Sequence, residues 1–314
     1  MKVAHYLPYQ KYGITSIVRG NMFCIKQRTI KKEIEIKGIG LHTGQSVSLK
    51  MYPANAYDGI NFVKNGTVIP AFVEYATGFE FSTTLSKNGK MVKTVEHLMA
   101  ALYFTGIDNI FIEVDADEIP ILDGSAIQFV EKIKEAGIKL LEDEKLYAVL
   151  SKEIVVKEKD KFIIGKPSPS TVITYHAKYN NKIIGDRKYT YSNLKEDFEN
   201  IALARTYCFL EEVEYLRRNG LAKGGSLENA VVFEGDNVLN PEGLRFEDEP
   251  VKHKLLDLIG DLYLLGFPIV GDIYSFKGGH RLNASFVRKL VDEKAFEVKY
   301  STEIDVLKGN QLVA

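Results

Sequence analysis

Apolar positions along this chain change period several times. Residues 28–36, Arg-Thr-Ile-Lys-Lys-Glu-Ile-Glu-Ile, alternate in the manner of a half-buried strand. Strand-like runs follow at 46–52, 59–63, 67–75 and 80–86, with hairpin turns at Asn65-Gly66 and Asn88-Gly89. The spacing then becomes helical from Thr94, a candidate N-cap, to about Phe104, with Gly106 past the end. A strand over Asn109–Val114 comes next. Asp123-Gly124-Ser125 leads into a helix that ends near Ala136-Gly137, and the charged stretch 141–148 reads as a linker. Beyond it, strands are expected at about 148–156, 161–165, 171–177 and 187–191. A polar and helical insertion runs to about 220. A strand at 230–234, a helix at 250–265, a strand at 269–276 and a helix at 284–293 complete the pattern.

The second half repeats the plan of the first. Ala101-Leu-Tyr-Phe-Thr-Gly106 matches Asp261-Leu-Tyr-Leu-Leu-Gly266, and each glycine is followed nineteen residues later by a serine, Ser125 or Ser285. Phe129-Val-Glu-Lys-Ile133 echoes Phe286-Val-Arg-Lys-Leu290. An offset of about 160 residues predicts an α+β protein of two related domains, each a sheet backed by helices. The expected units are 22–143 and 147–300. Chance similarity of Leu-rich helices is the competing account.

The helix at 250–265 is apolar almost all round, except for one row: His253, Asp257 and Asp261, each four residues from the last. Positions i and i+4 share a face. Burying an imidazole and two carboxylates costs several kcal/mol unless something pairs with them. A divalent ion is the simplest partner for His253 and Asp257; a solvated face is the alternative. The repeat places His97 opposite Asp257, so two such domains meeting face to face would bring a second imidazole into the cleft between them. Two His and one carboxylate are a catalytic zinc set with an open fourth position, and iron(II) fits the same donors. Glu96, beside His97, can serve as a general base or merely stabilise a helix N-terminus. His280 follows Gly278-Gly279 on an expected loop. Asp261 is its candidate partner, keeping it protonated; a turn histidine bound to backbone carbonyls is the other reading. His42, between Gly40 and Gly44, reads as structural.

Composition narrows the class. The chain has 314 residues and 45% hydrophobic content, which suits two cores rather than one. A net charge of -1 provides no field for nucleic acid. Cys24 and Cys208 are far apart, which fits a reducing compartment and excludes a cysteine zinc site. No run of about 18 apolar residues spans a membrane, and residues 1–21 lack the apolar core of a signal peptide. Met22 is an alternative start.

Several ordered motifs carry a family resemblance: Thr94-Val-Glu-His97, Ile119-Pro-Ile-Leu-Asp-Gly-Ser125, Ala204-Arg-Thr206, Gly224-Gly-Ser226, Asn240-Pro-Glu-Gly-Leu-Arg-Phe246, His253-Lys-Leu-Leu-Asp257 and Gly279-His280. Over about residues 25–300 the chain resembles the UDP-3-O-acyl-N-acetylglucosamine deacetylases of lipid A synthesis. The resemblance implies two α+β sandwich domains with the active site at their interface. It implies zinc on His97, His253 and Asp257, Glu96 as base, and His280 as the cation supported by Asp261. By the same likeness Thr206 donates to the oxyanion and Lys254 lies near the nucleotide-sugar. Tyr207 stands where many relatives carry Phe, and Ser82-Thr-Thr84 where some have cysteines. Tyr179 is a candidate for stacking on uracil, with packing as the alternative. The acyl passage maps to about 180–227, with Ile183, Ile184, Phe198, Ile201, Val213 and Leu227 as candidate lining. The expected protein is a cytoplasmic, monomeric zinc amidase that removes acetate from UDP-3-O-acyl-GlcNAc and touches the inner-membrane surface transiently.

Overall fold

The computed structural model describes residues 26–192 and 198–304. Its α-helices are α1 (Glu96–Thr105), α2 (Ile127–Ala136), α3 (Phe198–Ala202), α4 (Leu210–Arg218), α5 (Glu249–Leu262) and α6 (His280–Asp292). Together with several sheets they make an α+β architecture.

Two five-stranded sheets share one topology. The first runs in space as Ile34–Ile39, Ser46–Pro53, Ile110–Val114, Ile60–Lys64 and Thr67–Pro70; the second as Ile154–Glu158, Lys161–Lys166, Asp272–Phe276, Val172–Lys178 and Asp186–Ser192. In each, two antiparallel hairpins flank a late central strand that runs antiparallel to one neighbour and parallel to the other. A parallel pair requires a long crossover. In each sheet that crossover carries the helix preceding the central strand, α1 in one case and α5 in the other. Both helices are enclosed: every residue of α5 but Lys254 is buried, as are Glu96 to Leu102 of α1. Helices wrapped on all sides read as apolar all round, which is what the sequence shows. Gly106 and Gly266 end the equivalent segments in the left-handed region, with φ of 69° and 90°.

The repeat is looser past these glycines. Phe129 and Phe286 are both fully buried, but Ser125 precedes α2 and accepts from the Ile127 amide, whereas Ser285 lies inside α6. Other expectations need correction. Residues 28–36 are parts of two strands, Lys26–Ile30 and Ile34–Ile39, interrupted where charged residues adjoin. The stretch 141–148 is no linker. It belongs to strands Ile138–Glu144, paired with Lys26–Ile30, and Leu146–Leu150, paired with Ile269–Val270 and Phe296–Tyr300. Glu142, Asp143 and Glu144 are exposed or half-buried and mask the alternation, while Lys145 is buried against Asp108. The last helix starts at His280, four residues earlier than expected. Both Asn-Gly turns are present, with all four residues at positive φ. Among the described residues no helix is long and apolar enough to cross a membrane.

Candidate active site

α1 and α5 pack against each other and bring three buried side chains to one point. His97 Nε2 lies 3.5 Å, and His253 Nε2 3.4 Å, from Asp257 Oδ1. One donor atom from each residue falls within 4.8 Å of the others. The His253 Nδ1–H donates to the Ala204 carbonyl at 3.0 Å, which leaves the Nε2 lone pair facing Asp257. Burial pushes His253 down to about 3 against the pull of Asp257, so its ring is neutral. Burial would raise the Asp257 carboxyl, but its neighbours, the Lys254 ammonium among them, hold it well below the usual range. Lys254 donates to Asp257 Oδ2 at 2.9 Å. Oδ1 itself, and His97 Nδ1, are buried without a protein partner. A carboxylate oxygen left without a hydrogen bond between two imidazole nitrogens costs free energy unless a cation sits there.

Beside this cluster lies a second group that can move protons. Burial raises Glu96 to about 6 despite the nearby His280 and His97. Its Oε2 accepts from the Thr83 amide at 2.9 Å, and its Oε1 is 3.9 Å from His280 Nε2. His280 is the first residue of α6, not a loop residue, and Gly279 is the N-cap. A helix N-terminus disfavours a cation, and burial does too. Asp261 and Glu96 override both and lift His280 to about 9. The His280 Nδ1–H reaches Asp261 Oδ2 at 2.9 Å; Asp261 also accepts from Asn283 at 2.9 Å and from the Thr83 hydroxyl at 2.6 Å.

Thr94 does not cap α1. The N-cap is Val95, and Thr94 sits at φ 60°, a strained place for a β-branched residue. Its hydroxyl donates to Glu118 Oε1 at 2.8 Å. Glu118 is fully buried and also accepts from the His42 amide and from the amide and hydroxyl of Thr43. It ties the 40–43 loop to the start of α1. His42 itself faces the cavity, and neither ring nitrogen has a hydrogen-bond partner.

The cavity above the cluster measures about 440 Å³. His97, His253, Asp257, Glu96 and His280 form its floor, and Thr206, Lys254, Tyr179 and Tyr207 its wall. The Tyr207 hydroxyl donates to that of Tyr179 at 3.0 Å, and the Lys254 ammonium stands 5.5 Å from the Tyr207 ring centre. Away from the floor the lining turns apolar, through Phe209, Leu210, Val213, Leu216 and Leu227.

Residues 27–292 match a family model described as LpxC, UDP-3-O-acyl N-acetylglycosamine deacetylase. The chain belongs to the LpxC family. It is 46% identical to the UDP-3-O-acyl-N-acetylglucosamine deacetylase of Nautilia profundicola over 277 residues, covering 87% of this chain and 94% of that protein. The enzyme of the same name from Aquifex aeolicus is 43% identical over 268 residues, covering 85% and 94%. That of Campylobacter fetus subsp. fetus is 45% identical over 278 residues, covering 87% and 95%.

In this LpxC-family chain the residues expected to hold a metal, move protons or bind the sugar-nucleotide all line the cavity except Asp261, which stands directly behind His280. Of the six residues expected along an acyl passage, Val213 and Leu227 line the cavity. Ile184 and Ile201 are core residues, Ile183 packs on the core, and Phe198 stacks on Phe104 with ring centres 5.4 Å apart. Apolar identity alone does not separate a passage wall from a core. Thr83, Glu118 and Asn283 escaped the sequence reading because their partners are remote in the chain.

Proposed function

We propose that this protein hydrolyses the N-acetyl group of UDP-3-O-acyl-N-acetylglucosamine, releasing acetate and the free amine, with Zn2+ or Fe2+ held by His97, His253 and Asp257. The observation that carries the reading is the bare Asp257 Oδ1 between two Nε2 atoms at 3.4 and 3.5 Å, beside an acid–base pair at the foot of a cavity that ends in apolar wall. Donors that share one small divalent ion stand roughly 3.3 Å apart, which the two nitrogen–oxygen separations of 3.5 and 3.4 Å match. The metal, when bound, polarises the amide carbonyl and makes water acidic enough to attack near neutral pH.

The remaining work falls to side chains. Glu96 Oε1 faces the floor of the cavity while its Oε2 is held by Thr83, so Oε1 takes the proton from the attacking water. His280 is a cation at neutral pH and is anchored through Nδ1, which leaves Nε2–H to donate to the departing amine nitrogen. The Thr206 hydroxyl donates to the oxyanion that develops on the acetyl carbonyl oxygen. Lys254 supplies a fixed positive charge toward the nucleotide-sugar, and Tyr179 stacks on the base. The acyl chain lies along Val213 and Leu227. A substrate bearing such a chain requires contact with a membrane surface on the cytoplasmic side. In this reading the chain works as two α+β units, about 22–143 and 147–300, with the reaction at their junction.

Acetate release from UDP-3-O-acyl-GlcNAc, measured before and after chelation and in Glu96→Ala, tests the assignment. Turnover should vanish on chelation and return with metal, and Glu96→Ala should keep its metal yet lose turnover. Full turnover by chelated protein, or by Glu96→Ala, would refute it.

A further inference from the structure

Thr83 is fully buried in the turn between the strands Ala76–Gly78 and Thr84–Lys87, and it touches both halves of the proton-transfer apparatus at once. Its amide donates to Glu96 Oε2 at 2.9 Å, and its hydroxyl donates to Asp261 Oδ1 at 2.6 Å. Its carbonyl accepts from the Val95 amide, so the turn is also stitched to the start of α1. The other oxygen of Asp261 is taken by His280 and Asn283. With both oxygens engaged, the plane of that carboxylate is fixed, and with it the direction of the His280 ring.

We propose that Thr83 is a positioning residue that sets the spacing between Glu96 and His280 by gripping the first directly and the second through Asp261. The inference rests on the acid and base roles given above. Without the hydroxyl, Asp261 Oδ1 is left buried and unpaired. The carboxylate then turns to find another donor, and His280 Nε2 moves from its place 3.9 Å from Glu96 Oε1. The backbone grip on Glu96 survives any side-chain change, so the hydroxyl's contribution can be isolated. Valine matches threonine in shape and lacks only the donor.

The test compares Thr83→Val and Thr83→Ser with the parent enzyme by steady-state kinetics, metal content, thermal melting and proton NMR of the His280 Nδ1–H. Thr83→Val should lower kcat by roughly 10- to 100-fold, the usual effect of misplacing a reacting group. KM and metal content should stay unchanged, and the melting temperature should fall by no more than a few degrees, the cost of one unpaired buried acceptor. Its His280 resonance should move, and Thr83→Ser should restore both turnover and resonance. Parent-like turnover in Thr83→Val, a Thr83→Ser enzyme as slow as Thr83→Val, or a loss that follows metal content would overturn the proposal. If Thr83→Val does not fold, the smaller Thr83→Ala is read by the same criteria. If the parent protein shows no deacetylation, the function assignment fails separately. The resonance then decides alone: an unmoved signal in Thr83→Val sinks the role given to Thr83.

Discussion

Gly260 of α5 lies against the backbone of Glu96 of α1. A Cβ on Gly260 would stand 2.1 Å from the Glu96 carbonyl oxygen and 2.9 Å from its carbonyl carbon. Both atoms belong to main chain, so neither can swing aside. Gly260→Ala must therefore push α1 off α5, and the cost should be about 1–3 kcal/mol, as for other overpacked sites. The same movement separates His97 from His253 and Asp257, so metal affinity should fall with stability. Thermal melting and metal titration check both; a parent-like melt with full metal content would show that this contact does not set the helix spacing.

Metal removal should cost stability through His97 in particular. The folded state alone brings the three donors together, so the ion stabilises it by mass action, by about 2.7 kcal/mol when free metal is a hundredfold above Kd. Added zinc should raise the melting temperature of the chelated parent protein. In His97→Ala the same addition should raise it far less, although the two apo proteins melt at similar temperatures. Equal zinc responses would mean that the ion binds elsewhere.

Activity should depend on pH in a bell. Glu96 acts ionised, so kcat/KM rises through about 6; His280 acts protonated, so it falls through about 9. Asp261→Asn removes a main upward pull on His280 and should bring the alkaline limb toward neutrality. The stability linkage has a definite sign. His280 in the native state titrates above its unfolded value of about 6.5, so its contribution is fully present below about 6.5 and is lost as pH rises through about 9. His280→Gln should flatten the melting temperature across that window. Rate profiles and melts in matched buffers give both answers.

Passage lining makes a distinct prediction. Val213→Trp places an indole among the apolar lining residues of the cavity. It should lower kcat/KM for a long-acyl substrate by at least about tenfold, or about 1.4 kcal/mol. A short-acyl analogue should turn over as before. Equal losses on both substrates would place the acyl chain elsewhere.

Legibility in the sequence followed the range of the interaction. His253, Asp257 and Asp261 stood out because polar groups at i, i+4 spacing interrupt an otherwise apolar helix. The equivalence of α1 and α5 showed in the Leu-Tyr segments ending at Gly106 and Gly266. Helix and strand edges were harder. The charges at 142–145 made 141–148 read as a linker, and Gly278-Gly279 suggested a loop where α6 begins at His280. Thr83 and Asp261 are 178 residues apart, and Glu118 is 76 from His42. No local pattern foretells such pairs.

α5 also acts as a ruler. His253, Lys254, Asp257, Gly260 and Asp261 are marks along one uninterrupted coil. Each residue gained or lost turns everything beyond it by about 100° and shifts it by about 1.5 Å. A one-codon deletion at 258 or 259 would leave the first three marks in register while rotating Gly260 away from α1 and Asp261 away from His280. Side chains elsewhere on this coil can be exchanged for others of similar size, but the number of residues between its marks cannot drift.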